Sequence, residues 1–277
     1  MRWVLRAAVV LIILGLTLLG YGWWTALADP VVREARVEVG NWPTGERPVR
    51  ILLLSDIHVA GPDMPPSRLE RIVAQANELA PDLVLIAGDF VSEKAVHTQS
   101  HSPDEVVAPL ARLRSPLGTV AVLGNHDHWT DGEAMRAALT RIGVRVLFNE
   151  AHRAGPLAIG GLDDDYTGRA DLARTLAGLD EAGGVPILLS HSPDPFPDVP
   201  AAVLLTVAGH THCGQIRLPL IGPLATMSRH GNRYACGRID EDGKVLIVGA
   251  GLGTSILPLR IGAVPDMWLI EIGPAGR

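Results

Sequence analysis

The chain has 277 residues, 47% of them hydrophobic, and carries a formal net charge of -6 at pH 7. This length and apolar content are sufficient for one large buried core, so we expect a single folded domain over 49–277. The Lys and Arg residues are scattered along the chain. The sequence therefore lacks the basic patch of a nucleic-acid-binding protein, and we expect no nucleic-acid partner.

The first 28 residues have the pattern of a membrane segment. Arg2 and Arg6 precede an uncharged, largely aliphatic stretch over 7–28, with Trp23 and Trp24 near its far end. As a helix this stretch would be about 33 Å long, enough to cross the ~30 Å hydrocarbon core of a bilayer. A cleaved secretory signal is the alternative, because 26–28 (Ala-Leu-Ala) has the small-x-small form of a cleavage site. We favour the retained anchor.

The charges that flank this segment set its orientation only weakly, since both sides are basic. Arg2 and Arg6 precede it, and Arg33, Arg36 and Arg47 follow it. Large downstream domains can cross the membrane despite such charges. We predict a cytoplasmic N-terminus, with the domain on the outer side of the membrane.

Cys213 and Cys236 are the two cysteines of the chain. In an exported domain two cysteines can form a disulfide, but sequence does not show whether their Cα atoms come within reach. A disulfide and two free thiols therefore remain open.

The segment 29–48 is rich in Pro, Gly and charge and is typical of a linker, within which 31–39 would add an edge strand. A continuous apolar run over 50–55 then predicts a strand buried on both faces. Ser67 and Glu70 have the spacing of a capping box ahead of a helical pattern. A second apolar run over 82–87 completes a β-α-β unit, which normally forms a parallel pair.

Predicted helices and strands continue to alternate, and helices become rarer in the later part of the chain. Helices are predicted from Ser102 to Arg112, from Thr130 to Arg141 and over 171–179. Strands are predicted over 119–123, 144–148, 157–160, 186–190, 203–207, 234–239, 245–248 and 267–272. The early part favours parallel strands and the late part antiparallel ones, so we expect an α/β fold with two packed mixed β-sheets flanked by helices.

Polar motifs follow five of the predicted strands directly. They are Asp56-Ile57-His58, Gly88-Asp89, Gly124-Asn125-His126-Asp127, His191 and Gly209-His210-Thr211-His212. The ends of these strands would converge on one face of the fold. Their carboxylate, imidazole and amide groups suit Mn²⁺, Fe or Zn²⁺ better than Ca²⁺. Seven ligands exceed the need of one transition metal and match two divalent ions, of which Mn²⁺ is our first choice.

In this order and at these intervals, the motifs resemble those of the calcineurin-like metallophosphoesterases, over about 50–272. The segments 210–219 and 251–260 further resemble a membrane-anchored bacterial branch of that superfamily. This branch includes proteins described as phosphodiesterases and as UDP-2,3-diacylglucosamine diphosphatases. The resemblance therefore implies a location in the bacterial inner membrane with a single N-terminal anchor.

The resemblance also implies a role for each motif residue. Asp56, His58 and His212 would hold the first metal; Asn125, His191 and His210 would hold the second; and Asp89 would bridge them. Two such ions ~3.5–4 Å apart clamp a phosphate and acidify a bridging water, which attacks phosphorus in line. His126 would act on the leaving group, and Asp127 would fix the tautomer of His126 through a hydrogen bond.

The apolar loop over 216–224 bears on the substrate and has two open interpretations. It is either a packed loop or a flap that faces acyl chains or the bilayer. We predict a phosphohydrolase for a phosphodiester or pyrophosphate, with a lipid-linked substrate such as UDP-2,3-diacylglucosamine. The alternatives are a general extracytoplasmic phosphodiesterase or phosphatase of the cell envelope and a catalytically silent binding module. The sequence predicts no oligomeric state.

Overall fold

The computed structural model describes residues 1–92 and 94–275. Its first element is helix α1 (Arg2–Ala26). Among the described residues this is the one helix long and apolar enough to cross a membrane, and its most apolar stretch is not buried against the protein. An N-terminal apolar helix of membrane-spanning length is therefore confirmed.

The body of the domain contains two six-stranded sheets. In spatial order, the first sheet consists of β1 (Val31–Val39), β14 (Asp266–Pro274), β2 (Val49–Leu54), β3 (Leu83–Ala87), β4 (Thr119–Val122) and β5 (Arg145–Val146). Strands β2 to β5 are parallel, and β14 runs antiparallel to β2. The expected edge strand is confirmed, because β1 pairs with β14 along its whole length.

The second sheet is also mixed. In spatial order it consists of β12 (Gly237–Glu241), β13 (Lys244–Val248), β9 (Leu205–Ala208), β8 (Val185–Leu189), β7 (Leu157–Gly161) and β6 (Glu150–Ala154). Strands β13, β9, β8 and β7 are parallel, and an antiparallel strand closes each edge. A small hairpin, β10 (Arg217–Leu218) with β11 (Gly222–Pro223), lies outside both sheets.

Alternating side chains along each strand divide the core into layers. On β2, Ile51 and Leu53 pack between the two sheets, whereas Leu52 and Leu54 pack against helices. The helices of the first sheet are α2 (Pro66–Glu78), α3 (Pro103–Val107) and α5 (Gly132–Arg141). Helix α6 (Leu172–Ala182) covers the second sheet. The prediction of two packed mixed sheets flanked by helices is confirmed.

Several local predictions need correction. Ser67 does not cap α2, because Pro66 already occupies the first helical turn and favours an earlier start. Thr130 ends the short helix α4 (Asn125–Thr130), and it is the Asp131 side chain that caps α5 by accepting from Ala134 N. By contrast, a capping box is present at Ser102, where the sequence predicts the start of a helix.

Cys213 and Cys236 form a disulfide. This bond settles the alternative that the sequence left open. It fixes the residue that directly follows His212 to the segment that precedes β12. The loop between β9 and the hairpin is therefore held covalently to the second sheet.

Candidate metal centre

The ends of five parallel strands, three from the first sheet and two from the second, meet at one place. Asp56 and His58 follow β2, Asp89 follows β3 and Asn125 follows β4, whereas His191 follows β8 and His210 and His212 follow β9. All seven residues of the expected ligand set are buried, with at most 6% of any of them exposed: Asp56, His58, Asp89, Asn125, His191, His210 and His212. The structure thus brings the whole set together between the two sheets.

Five of these seven residues have a left-handed backbone conformation. The φ angles are 48° at Asp56, 50° at His58, 56° at Asp89, 69° at His210 and 50° at His212. For an L-residue this conformation costs roughly 1–2 kcal/mol. Such strain concentrates at functional sites, where the surrounding structure enforces it. Here the left-handed conformation turns the backbone sharply after each strand, and the side chain points into the centre.

In three histidines a hydrogen bond to a backbone carbonyl sets which ring nitrogen carries the hydrogen when the ring is neutral. The bonds are His58 Nδ1 to Val91 O at 3.0 Å, His191 Nδ1 to Ala87 O at 2.7 Å and His210 Nε2 to Met227 O at 3.2 Å. Because a carbonyl oxygen only accepts, each of these nitrogens must carry the hydrogen. The other nitrogen of each neutral ring therefore presents a lone pair, which is the arrangement found in histidines that bind metals.

Those lone pairs converge on one another. His58 Nε2 lies 3.0 Å from His212 Nε2, and His191 Nε2 lies 3.0 Å from Asn125 Oδ1. Asp89 Oδ2 is 3.5 Å from His58 Nε2 and 3.3 Å from His191 Nε2. When the rings are neutral, these acceptors repel one another unless a proton or a metal cation lies between them. The mixed imidazole, carboxylate and amide donors fit divalent transition metals.

Asp56 gives independent support for a cation. Its Oδ1 accepts the backbone N–H of His210 at 2.8 Å, but its Oδ2 is buried and has no hydrogen-bond partner among the described residues. Asp56 groups with His58 and His212, and also with Asp89 and His191, in sets whose ligand atoms lie within 4.8 Å of one another. An orphaned carboxylate oxygen in such a set is costly unless a cation compensates it. The residues present therefore fit two adjacent metal sites.

Burial dominates the proton equilibria of the centre. It raises the pKa of Asp56 to about 6 and lowers the pKa of His210 to about 4. It also lowers the pKa of His58 well below the ordinary value. Burial alone would lower the pKa of His191, but the carboxylates of Asp89 and Asp56 raise it well above the ordinary value. A proton on His191 and a metal ion thus relieve the same repulsion and compete for the same place.

Two glycines allow the backbone to approach the carboxylates closely. A Cβ at Gly124 would lie 2.3 Å from Asp89 Oδ1 and 2.7 Å from His191 Cε1. A Cβ at Gly209 would lie 2.4 Å from Asp56 Oδ2. Real Cβ atoms do not make such contacts. Both Gly-led motifs therefore need glycine at their first position to form the centre.

His126 lies at the edge of the centre and faces a cleft. Its backbone N–H donates to Asp89 Oδ1 at 2.9 Å. Its ring is half-buried, with Nε2 3.4 Å from Ser255 Oγ, and within the described ranges its buried Nδ1 has no partner. The ring packs edge-on against His58, with 4.9 Å between centroids. His126 is thus placed where it can meet a bound substrate.

Asp127 does not make the predicted hydrogen bond to His126 among the described residues. Asp127 accepts four backbone N–H groups, and within the described part of the chain its carboxylate makes no bond to the His126 ring. The donors are Asp89 and Gly124 to Oδ2, at 2.9 and 3.0 Å, and Phe90 and Val91 to Oδ1, at 2.9 and 3.2 Å. The reason is its place in the first turn of α4, from which the side chain turns back to the helix start. Asp127 joins the loops that follow β3 and β4.

A cleft of about 270 Å³ opens beside the centre. Its walls include three residues that the sequence analysis missed, Trp129, Tyr166 and Ser255. The Tyr166 ring packs against His210 with 4.7 Å between centroids. Trp129 offered a weak signal, because it is an aromatic residue two positions after the motif 124–127, whereas Tyr166 follows the predicted strand 157–160 without such a motif. Ser255 offered none beyond its place in the Gly-rich segment 251–260.

Comparison with known proteins gives the family. A model of the calcineurin-like phosphoesterase family matches residues 49–214. The chain is 32% identical to the uncharacterized metallophosphoesterase YkuE of Bacillus subtilis (strain 168), over 91% of this chain and 90% of that protein. It is 30% identical to phosphodiesterase YaeI of Escherichia coli (strain K12), over 81% of this chain and 82% of that protein.

A longer relative matches almost the whole chain. It is a transmembrane protein with metallophosphoesterase domain from Danio rerio, 30% identical over 98% of this chain and 63% of that protein. The chain thus spans less than two thirds of this relative's length. The residues that match the family, 49–214, include all five strand-end motifs of the centre. The chain belongs to the calcineurin-like phosphoesterase family.

Proposed function

We propose that this chain is a two-metal phosphohydrolase. The first ion would be held by Asp56, His58 and His212, and the second by Asn125, His191 and His210, with Asp89 shared between them. The observation that carries the proposal is the convergence of buried imidazole nitrogens, an amide oxygen and carboxylate oxygens at one place. Mn²⁺ is the proposed metal, with Fe or Zn²⁺ as alternatives.

The chain's own groups supply the rest of the chemistry. When bound, two divalent ions polarise a phosphoryl group and lower the pKa of water. Asp89 is held from both sides, because its Oδ1 accepts the N–H of His126 and its backbone N–H donates to Asp127. His126 Nε2 faces the cleft beside Ser255 and would donate a proton to the departing oxygen.

We further propose that the substrate is a lipid-linked phosphodiester or pyrophosphate, with UDP-2,3-diacylglucosamine as the first compound to test. Support comes from the apolar N-terminal helix and from the apolar side chains in the cleft wall, among them Leu224 and Ile256. The segments 210–219 and 251–260, which resemble the membrane-anchored bacterial branch, also border this cleft. The proposed location is the bacterial inner membrane, with α1 as the single anchor.

The disulfide favours a second candidate function, a general extracytoplasmic phosphodiesterase or phosphatase of the cell envelope. Disulfides persist in oxidising compartments and are rare in the cytosol. The Cys213–Cys236 bond therefore supports the orientation with the domain outside the cytoplasm. Hydrolysis of UDP-2,3-diacylglucosamine would instead argue for a domain that faces the cytoplasm.

The first experiment compares these substrates on the detergent-solubilised full chain, with Mn²⁺ or with chelator. UMP release from UDP-2,3-diacylglucosamine is measured beside hydrolysis of bis-p-nitrophenyl phosphate. Metal-dependent turnover of the lipid at far higher efficiency supports the first candidate, and turnover of the generic diester alone supports the second. Stoichiometric metal without turnover of either compound would identify a catalytically silent binding module.

His126→Ala tests the proposed leaving-group role. We expect kcat on an alkyl phosphodiester, whose alkoxide leaving group needs a proton, to fall by roughly 10²–10⁴, the range for loss of a general acid. Metal content, measured by mass spectrometry, should remain unchanged because His126 is not among the proposed ligands. His152→Ala, on edge strand β6, is the matched control. A normal rate in His126→Ala would remove this residue from the mechanism.

A further inference from the structure

An exposed apolar rim borders the mouth of the cleft. We define the apolar rim as the side chains of Leu220, Ile221, Leu224, Met227, Ile256 and Leu257, all of them exposed. Leu220 is fully exposed and Ile221 is 70% exposed. Clustered exposed hydrophobic side chains of this kind mark surfaces that bind a partner or a membrane.

The backbone presents these side chains outward at a cost. The hairpin pairs Leu218 with Gly222, which leaves Leu220 and Ile221 at its tip. Leu220, Met227 and Ile256 have left-handed φ angles of 65°, 53° and 53°. This conformation is unfavourable for bulky residues, and most of all for a β-branched one such as Ile256. The exposure of the rim is thus a defined feature of the fold.

The two halves of the apolar rim form one structural unit. Gln215, at the base of the hairpin, donates from Nε2 to the carbonyls of Ser255 and Leu257 at 3.0 Å each. Gln215 Oε1 accepts the backbone N–H of Ser255 at 2.8 Å. Arg217 N also donates to Ile261 O at 2.7 Å. The hairpin and the segment 255–261 are therefore linked at several points.

The same unit contacts the end of the anchor helix. Arg260 N donates to Gly22 O at 2.9 Å, and a Cβ at Gly22 would lie 3.2 Å from Ile261. The exposed side chains of Tyr21 and Trp24 flank this contact. Aromatic residues at the end of a membrane helix lie at the level of the lipid headgroups. Leu257 is three residues from Arg260, which corresponds to at most ~11 Å of chain.

We infer that the apolar rim is a bilayer-docking surface. Its side chains insert into the leaflet next to the domain-side end of α1, and the cleft opens toward that leaflet. A lipid-linked phosphate then reaches the centre laterally, with its acyl chains still in the membrane. This inference deepens the proposed function and rests on its membrane anchor. Continuity between the apolar rim and the helix end favours a bilayer as the occupant over a second copy or another protein.

The test reads the environment of the apolar rim directly. The native cysteines are joined in a disulfide, so Ile221→Cys adds one reactive thiol for an environment-sensitive fluorophore. Full-length chain is placed, one copy per disc, in nanodiscs of phosphatidylethanolamine and phosphatidylglycerol. We expect a blue shift, and spin-labelled lipids should quench about half or more of the emission. Leu220→Cys repeats the measurement at the neighbouring position.

Glu181→Cys, exposed on the outer helix α6, is the matched control and should show neither effect. Unquenched, solvent-like emission at both rim positions would overturn the inference. A blue shift confined to discs with two copies would also overturn it, in favour of self-association. Because the label needs no turnover, failure of the docking surface is distinguishable from failure of the proposed function, which bis-p-nitrophenyl phosphate hydrolysis reports.

Discussion

Replacing Gly124 with alanine should disable the centre while leaving the fold intact. The new Cβ would lie 2.3 Å from Asp89 Oδ1, whereas an ordinary contact is 3.4–4 Å. Asp89 must therefore move by about 1 Å, a displacement that costs roughly 10²-fold in rate when it misplaces a catalytic group. This loss corresponds to about 2.7 kcal/mol of transition-state stabilisation. The backbone itself adds no strain, because Gly124 has φ -108° and ψ -178°.

The assay is kcat/KM on bis-p-nitrophenyl phosphate with saturating Mn²⁺, together with metal content and thermal unfolding. Gly40→Ala is the control, since a Cβ at Gly40 would have no neighbouring atom within 4 Å. We expect a reduced metal content in Gly124→Ala and a rate about 10²-fold below that of the control. Wild-type activity with a full complement of metal in Gly124→Ala would refute the steric reasoning.

Three further predictions follow from buried polar groups and from the disulfide. Asp127→Asn should lower the free energy of unfolding in urea by about 1–3 kcal/mol, because an amide cannot accept all four N–H groups; an effect no larger than that of exposed Asp180→Asn would contradict this. The increase in Tm that Mn²⁺ produces should shrink as the pH falls below about 6, the raised pKa of Asp56, because a proton then competes with the ion; a constant increase between pH 5 and 8 would argue against Asp56 as a ligand. Replacing Cys213 and Cys236 by serine should cost about 3 kcal/mol of stability for a sequence separation of 23, and reductant should destabilise the wild type equally; a reductant effect on the double variant would count against this account.

The sequence predicted the strand ends because local composition determines them. The apolar run 50–55 and the observed β2 (Val49–Leu54) differ by one residue at each end. Parallel strands place their carboxyl ends at one edge, so the residues that follow β2, β3, β4, β8 and β9 had to meet once the sheets packed. Motif order and this topological rule were sufficient to predict that the seven side chains lie close together.

Features that depend on tertiary contacts escaped prediction. Strand β6 (Glu150–Ala154) is an edge strand in which Ala154 alone is fully buried, so it lacks an apolar pattern. The direction of the Asp127 side chain depends on the start of α4, which the motif does not show. The distance between the Cα atoms of Cys213 and Cys236, 4.6 Å, depends on how the loop after β9 folds back. In each case the missing information lies in contacts between segments distant in sequence.

The wide spacing of the buried residues along the chain affects how the protein is made. Asp56 and His210 share a hydrogen bond across 154 residues. At ~5–20 residues per second, a ribosome needs about 8–30 s to synthesise the chain between them. Strand β1 can pair only after β14, its partner at the C-terminal end, has also been synthesised. The centre can therefore assemble only after most of the domain has been synthesised, and any ion it holds must come from the compartment in which folding ends.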